Sequence, residues 1–516
     1  MSGGESAESI ATIRGGVWRA ALLYAGFVAL AILTRAVVLG LGILDLDEAV
    51  YSVVAREMLR GRQLYADVAD HKPPLVFLFY ALAEWLWGPA ILGARLLAVL
   101  TVLPLTALAL ATFFDRTRVG VVAAVAWLVY GAAFIGHDML AVNCEILMMA
   151  PLAWALVVLR RPADLLRARR LLLAGLLIGV AVLFKYQAGL WLPVGLVAIF
   201  HSHPPHCPGR RWQALAALGI GFATPLVGTW AAFAVMGLGP QFIYWNLANN
   251  FGYVSASVTG IAALARAAGS IVPFLAVTAP LWVGAVRLRA SSMDAHRRAL
   301  ILSSLTLAGL GVLPGWRFYP HYLIPLYVPL ALAAAPWLAD RLSWPLTRRA
   351  SLVIAWPVSM LVGFSVSTVV LFYRTDVYSE TRPVFSAVAN EIRARACRPL
   401  GALFVWGYAP QFYYETDLPV ASRFLLVDRT LVGHVSGGQA DPRLIEEEHW
   451  NWLMADLTRN APDFIVDASA ARLSRWSYRL ADFPRLDRYV REGYRPVVSI
   501  GGAVLWQRQT CLANTR

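Results

Sequence analysis

Asp45, Asp47 and Glu48 stand together where a long apolar stretch ends, and Asp70-His71-Lys72-Pro73-Pro74 follows shortly before the next one. Carboxylates beside an ammonium and an imidazole at a membrane boundary can take a proton from a hydroxyl and hold an anionic headgroup. Asp47 and Glu48 are neighbours, so on a helix they point about 100° apart and cannot face one ligand equally. One can act on a substrate while the other orients a neighbour. A carboxylate at a helix start is also what an N-cap looks like, and a lysine at lipid depth can be a snorkelling anchor. The Pro-Pro pair keeps Lys72 out of a helix and sets the His-Lys pair on a stiff extended turn.

The elements around these residues belong to a membrane protein. Of 516 residues, 59% are hydrophobic and 15% charged, with a mean hydropathy of +0.59. Apolar runs at 17–43, 89–114, 119–135, 140–159, 171–184, 188–200, 214–236, 271–286, 299–313, 322–338 and 352–372 predict about eleven transmembrane helices. The first run is too long for a signal-peptide core and is expected to be retained as a span. Residues 1–16 are expected to be a disordered cytoplasmic terminus, 17–373 a transmembrane domain with a first external loop at 44–88, and 374–516 a small external α/β domain. Residues 49–59 have Val50, Val53, Val54 and Met58 on one face and Arg56, Glu57 and Arg60 opposite, the pattern of a helix lying along the membrane surface.

Arginine distribution orients the chain. Arg14 and Arg19, Arg116 and Arg118, Arg160 to Arg170, Arg210 and Arg211, Arg287 to Arg298, and Arg341, Arg348 and Arg349 fall in alternate connections if 171–200 crosses twice, which makes those connections cytoplasmic. The net charge of +14 is therefore a topology signal, not the single basic patch of a nucleic-acid protein. The opposite, external ends of the helices collect Asp47, Glu48, His71 and Lys72 with Asp138, Glu145, Lys185, Arg317, His321 and Tyr322. In the C-terminal domain, 402–406, 464–466 and 497–506 read as strands and 382–395 as a helix. Of the four cysteines, Cys144 and Cys207 have no obvious partner; Cys397 and Cys511 flank the first and last strands and could pair in an oxidising compartment, with two free thiols the open alternative. No Cys/His spacing suits zinc.

The motifs resemble a known family. Asp47-Glu48, Ala55-Arg56-Glu57-Met58-Leu59, Gly61, Tyr65 and His71-Lys72-Pro73-Pro74-Leu75 look like the first-loop signature of the GT-C glycosyltransferases, in the group of protein O-mannosyltransferases and lipid A aminoarabinose transferases with their bacterial mannosyl- or galacturonosyltransferase-like relatives. Lys185-Tyr186, Arg317 to Pro325 and Val405 to Tyr408 extend the resemblance over most of the chain. It implies inverting transfer of one sugar from a polyprenyl-phosphate carrier to a lipid, glycan or protein acceptor at the external face of a bacterial inner membrane. It also implies no metal or other cofactor. Carried onto this chain, Asp47 is the general base and Glu48 its shaping neighbour; His71 and Lys72, with Lys185, Arg317 and His321, hold the carrier phosphate, and Glu145 and Tyr322 complete the site. Val50 stands where aminoarabinose transferases resemble one another in an arginine, and 237–268 is too short for the lumenal insertion of the eukaryotic enzymes, so the acceptor stays open. A secondary transporter or lipid-linked-sugar translocase is the alternative, with Arg35 and Glu84 as its intramembrane charges.

Overall fold

The computed structural model describes residues 4–133, 137–163, 167–202, 208–342, 354–356, 358–363, 366, 381–396, 401–436, 439–471 and 478–513. A helical bundle runs through the first two thirds, and a small α/β unit follows. The first helix begins at Gly4, inside the segment expected to be disordered, and continues to Leu39. Among the described residues five helices are long and apolar enough to cross a membrane: Gly16–Leu39, Ile91–Phe113, Gly209–Val235, Gly260–Val277 and Pro320–Arg341.

The difference from the hydropathy reading has a geometric reason. The helices flanking Lys185 are Ala168–Val182 and Leu192–Ser202, 15 and 11 residues long. At 1.5 Å per residue they rise about 22 and 16 Å, less than a core of roughly 30 Å. Another apolar helix, Pro74–Trp87, occupies the end of the segment read as an external loop. Most of the expected span 352–372, with Arg348 and Arg349, lies outside the described residues. Helices Ala168–Val182 and Pro208–Val235 approach closely because their contact is glycine: a Cβ on Gly175 would meet the Leu218 carbonyl, and one on Gly221 the Leu172 carbonyl. Small residues of this kind let apolar helices pack where water supplies no drive between them.

The C-terminal unit carries a mixed sheet in the order Leu403–Trp406, Phe464–Asp467, Ala503–Arg508, Tyr494–Ile500. The first pair is parallel and the others antiparallel. What hydropathy reads as one strand at 497–506 is a hairpin, since Gly501 and Gly502 at φ +55° and +85° supply the left-handed pair of a tight turn. The helix expected at 382–395 spans Thr381–Arg395. Cys511 is disulfide-bonded; Cys397 and Cys207 lie outside the described residues.

The docking of this unit encloses the amphipathic helix of the first loop. Helix Leu46–Leu59 does not lie on a surface, for Glu48 through Glu57 are all buried. Its polar face is covered by the C-terminal unit: Arg56 and Arg60 pair with Asp417 at 2.9 and 2.8 Å, and Arg62 donates to the Val420 carbonyl at 2.7 Å. Ala69 N donates to the Arg423 carbonyl at 3.0 Å, so the chain just before His71 is stitched to the same unit.

Candidate active site

Between the bundle and the docked unit lies a cavity of about 540 Å³. Its floor is Asp45, Asp47, Asp70, His71 and Lys72 of the first loop, together with Lys185, Arg317, His321 and Tyr322; Asn246, Asn250 and Tyr253 form a wall, and Tyr408, Phe424, Asp428 and Thr430 a roof.

Asp47 starts the helix after its N-cap Asp45, whose carboxylate accepts from Asn143 Nδ2 at 3.0 Å. Asp47 Oδ2 accepts from Tyr51 OH, one helical turn on, at 3.0 Å and stands 3.4 Å from Lys72 Nζ. Burial by itself would raise this carboxyl, but Lys72, His321 and Lys185 outweigh it and hold Asp47 well below the usual carboxylate range. The Pro-Pro turn presents Lys72 as its φ restriction predicts: Pro73 is extended at φ −66°, ψ 157°. Asp70 Oδ1 accepts the Lys72 amide at 2.8 Å, and Tyr65, itself at φ +72°, donates its hydroxyl to the Lys72 carbonyl at 2.8 Å. Burial lowers the Lys72 ammonium less than Asp47 and Asp70 raise it, so it stays charged.

His71 stacks on Tyr253 with ring centroids 4.8 Å apart. Burial first, and then Lys72, push it well below the ordinary histidine range, so Lys72 carries the charge of the pair. Lys185 Nζ bonds Glu145 Oε1 at 2.7 Å and lies 4.9 Å from the Tyr322 ring centre; His321 Nε2 is 3.8 Å from the same carboxylate. Glu145 stands behind the cavity lining and anchors two of the groups that form it. Glu48 also stands outside the lining. It is fully buried, bonded to Arg95 at 2.7 Å and accepting the Leu44 and Val142 amides at 3.0 and 3.1 Å. Arg95 in turn donates to the carbonyls of Val38, Leu41 and Gly42. The pair fixes the frame on which Asp47 sits, so the two neighbouring acids divide as their 100° offset requires.

Arg317 is a brace. Its guanidinium donates to the carbonyls of Val435, Tyr253 and Ala256 at 2.5, 3.0 and 2.8 Å and lies over the Tyr253 ring at 4.0 Å. Trp316 and Phe318 on either side sit at φ +50° and +48°, strain of order 1–3 kcal/mol each that these bonds offset. Three wall and roof groups escaped the sequence reading. Asn246 Oδ1 accepts from the Tyr186 and Tyr65 hydroxyls at 2.5 and 3.3 Å, Asn250 Nδ2 donates to the His71 carbonyl at 2.7 Å, and Asp428 caps the short helix Arg429–Val432. The asparagines recurring in the aromatic run 242–253 were the available signal. Among the described residues no three His, Cys, Asp or Glu side chains group in a way that would hold a metal ion.

Residues 71–230 match the family model of the dolichyl-phosphate-mannose-protein mannosyltransferases, a stretch that includes Lys72, Glu145 and Lys185. The structure resembles that of ArnT from Cupriavidus metallidurans bound to undecaprenyl phosphate, with 16% identity, TM-score 0.58, and 94% of this chain and 97% of that one covered. The chain shares the fold of that protein. ArnT without the lipid matches equally, at 15% identity and TM-score 0.57 over 95% and 98% of the two chains. No curated protein sequence matches. The resemblance carried by the first-loop motif thus holds at the level of fold and of the 71–230 segment.

Proposed function

We propose that this chain is an integral-membrane glycosyltransferase that moves one sugar, with inversion, from a polyprenyl monophosphate to a hydroxyl acceptor at the external face of a bacterial inner membrane. The observation that carries the reading is the Asp47–Lys72 pair, 3.4 Å apart on the floor of a cavity large enough for a sugar. Asp47 takes the acceptor's proton as the acceptor oxygen bonds to the anomeric carbon. The bond from that carbon to the carrier phosphate breaks, and the phosphate leaves with its electron pair, neutralised by Lys72 with Lys185 in reach. Held low by Lys72, Asp47 is a weak base. A carrier phosphate that draws the ammonium toward itself releases Asp47 to become more basic, which couples acceptor activation to donor binding.

The fold shared with a protein crystallised with undecaprenyl phosphate supports this choice of donor. The charges a transporter would use at mid-membrane have structural partners: Arg35 donates to the Leu140 and Gly131 carbonyls at 2.9 and 3.0 Å, and Glu84 pairs with Arg56 at 2.8 Å. The test is transfer in purified membranes supplied with undecaprenyl-phosphate sugars. Wild type should release free undecaprenyl phosphate in an acceptor-dependent way and Asp47→Asn should not; equal release by both would reject the mechanism.

A further inference from the structure

We propose that Asp428, in the roof of the cavity, holds the hydroxyls of the donor's sugar and so helps decide which sugar is used. The inference rests on the glycosyltransferase reading and gives a role to a carboxylate that the C-terminal unit brings to the cavity.

Asp428 lines the cavity, and its charge interacts with that of Asp70, the residue that fixes the Lys72 backbone. Asp428 and Lys72 line one cavity, and a sugar is joined directly to the carrier phosphate that Lys72 would hold. The Asp428 carboxylate is little used by the protein. It accepts only long bonds from Thr430 N and Oγ1, at 3.4 and 3.5 Å, and forms no ion pair among the described residues. The adjacent Arg429 turns away, bonded to Asn249 and 3.7 Å from Glu446. A carboxylate has two oxygens that can accept from neighbouring hydroxyls, and the aromatic residues Tyr408 and Phe424 line the same cavity. Burial pushes Asp428 up to about 6, partly offset by Arg429, as suits a group awaiting polar partners.

The experiment compares two ligands on the purified full chain: bare undecaprenyl phosphate, and whichever of undecaprenyl-phosphate mannose and undecaprenyl-phosphate glucose wild type binds more tightly. Asp428→Asn keeps the cap and the fold, because asparagine caps as well as aspartate; Asp428→Ala removes every acceptor. Both should weaken the sugar-bearing lipid, Ala by roughly ten- to a hundred-fold, the range expected for hydrogen bonds to a charged group. Both should leave the bare lipid within about two-fold or bind it more tightly, since a negative charge near a phosphate has been removed. Equal weakening of the two lipids, or no change in either, overturns the proposal alone. Wild type that binds neither lipid overturns the glycosyltransferase reading and this inference with it.

Discussion

Helix Ile91–Phe113 joins two ionic clusters that use the same ingredients differently. Near its start the cavity holds Asp47 among Lys72, Lys185 and His321. Just past its end Asp115 is gripped by Arg160 at 3.3 Å, by Arg297 at 2.9 Å and by Arg161. Both acids are held low by their cations against the opposing effect of burial. Asp115 does not line the cavity that holds Asp47, its ion-pair partners among the described residues are arginines, and its own left-handed backbone at φ +55° turns the chain between two helices. Guanidinium forks fix a carboxylate and stay put; a lysine on a flexible stem can change partner when an anion arrives. A shifted carboxyl thus marks a strong field, and only adjacent space and a movable partner make that field reactive.

Substitutions at the two ends should separate these roles. The largest effect is expected for Asp47→Asn, a loss of about 10²–10⁴ in transfer rate with expression intact, whereas Asp115→Asn should stay within about two-fold of wild type in the same membrane assay. Comparable losses in the two variants would erase the distinction. Next comes Arg95→Leu, which strands Glu48 in the interior. It should cost about 3–5 kcal/mol of stability, read as a lowered Tm in detergent with the residual folded fraction also impaired in transfer. Lys72→Ala should raise the apparent donor constant roughly ten- to a hundred-fold while acceptor use changes little, and Lys72→Arg should recover only part; an unchanged donor titration would make Lys72 a membrane anchor.

A smaller effect concerns pH. Asp428 binds its proton more tightly in the folded protein, with its pKa raised to about 6, than in the unfolded chain at about 3.9. The proton-linked stability is complete below about pH 4 and is lost as pH rises through 6. Tm measured from pH 4 to 7 should fall more steeply for wild type than for Asp428→Asn, and parallel curves would contradict the assignment. Smallest of all, Asp115→Asn should lower stability by no more than about 1 kcal/mol, less still at high salt, because its carboxylate is partly exposed.

The floor of the cavity was legible in the sequence because it is local. Asp47, Lys72 and the Pro-Pro turn lie within one loop, and the boundary between apolar and polar segments says where that loop sits. Lys185 and His321 were legible as charges at span ends, although their shared attachment to Glu145 is a tertiary fact. The roof was legible only in part: Tyr408 stands in the Val405–Tyr408 motif, whereas Asp428 comes from a segment with no periodic or compositional mark of a site and is brought to the cavity by the folding of a separate unit. The cover over helix Leu46–Leu59 was not legible for a related reason. An amphipathic pattern says that a polar face exists, and here Asp417 and the Val420 carbonyl cover it where the pattern alone suggested water. On both sides of Lys185 the helices are shorter than a membrane core is thick, a matter of length that hydropathy does not carry.

The docking of Arg62 on Val420 spans 358 residues of chain. At about 5–20 residues per second, that is roughly 20–70 s of synthesis between the emergence of the first loop and that of its cover. Through this interval Arg56 has Glu84, and Arg60 and Arg62 have Glu57, as partners, but the contacts to Asp417 and Val420 are unmade and Asp47 and Lys72 have no roof above them. A ribosome stalled before residue 400 would leave a bundle with its reactive carboxylate and ammonium in place and no chamber around them. On the proposed reading, the C-terminal unit completes the chamber that the first loop begins.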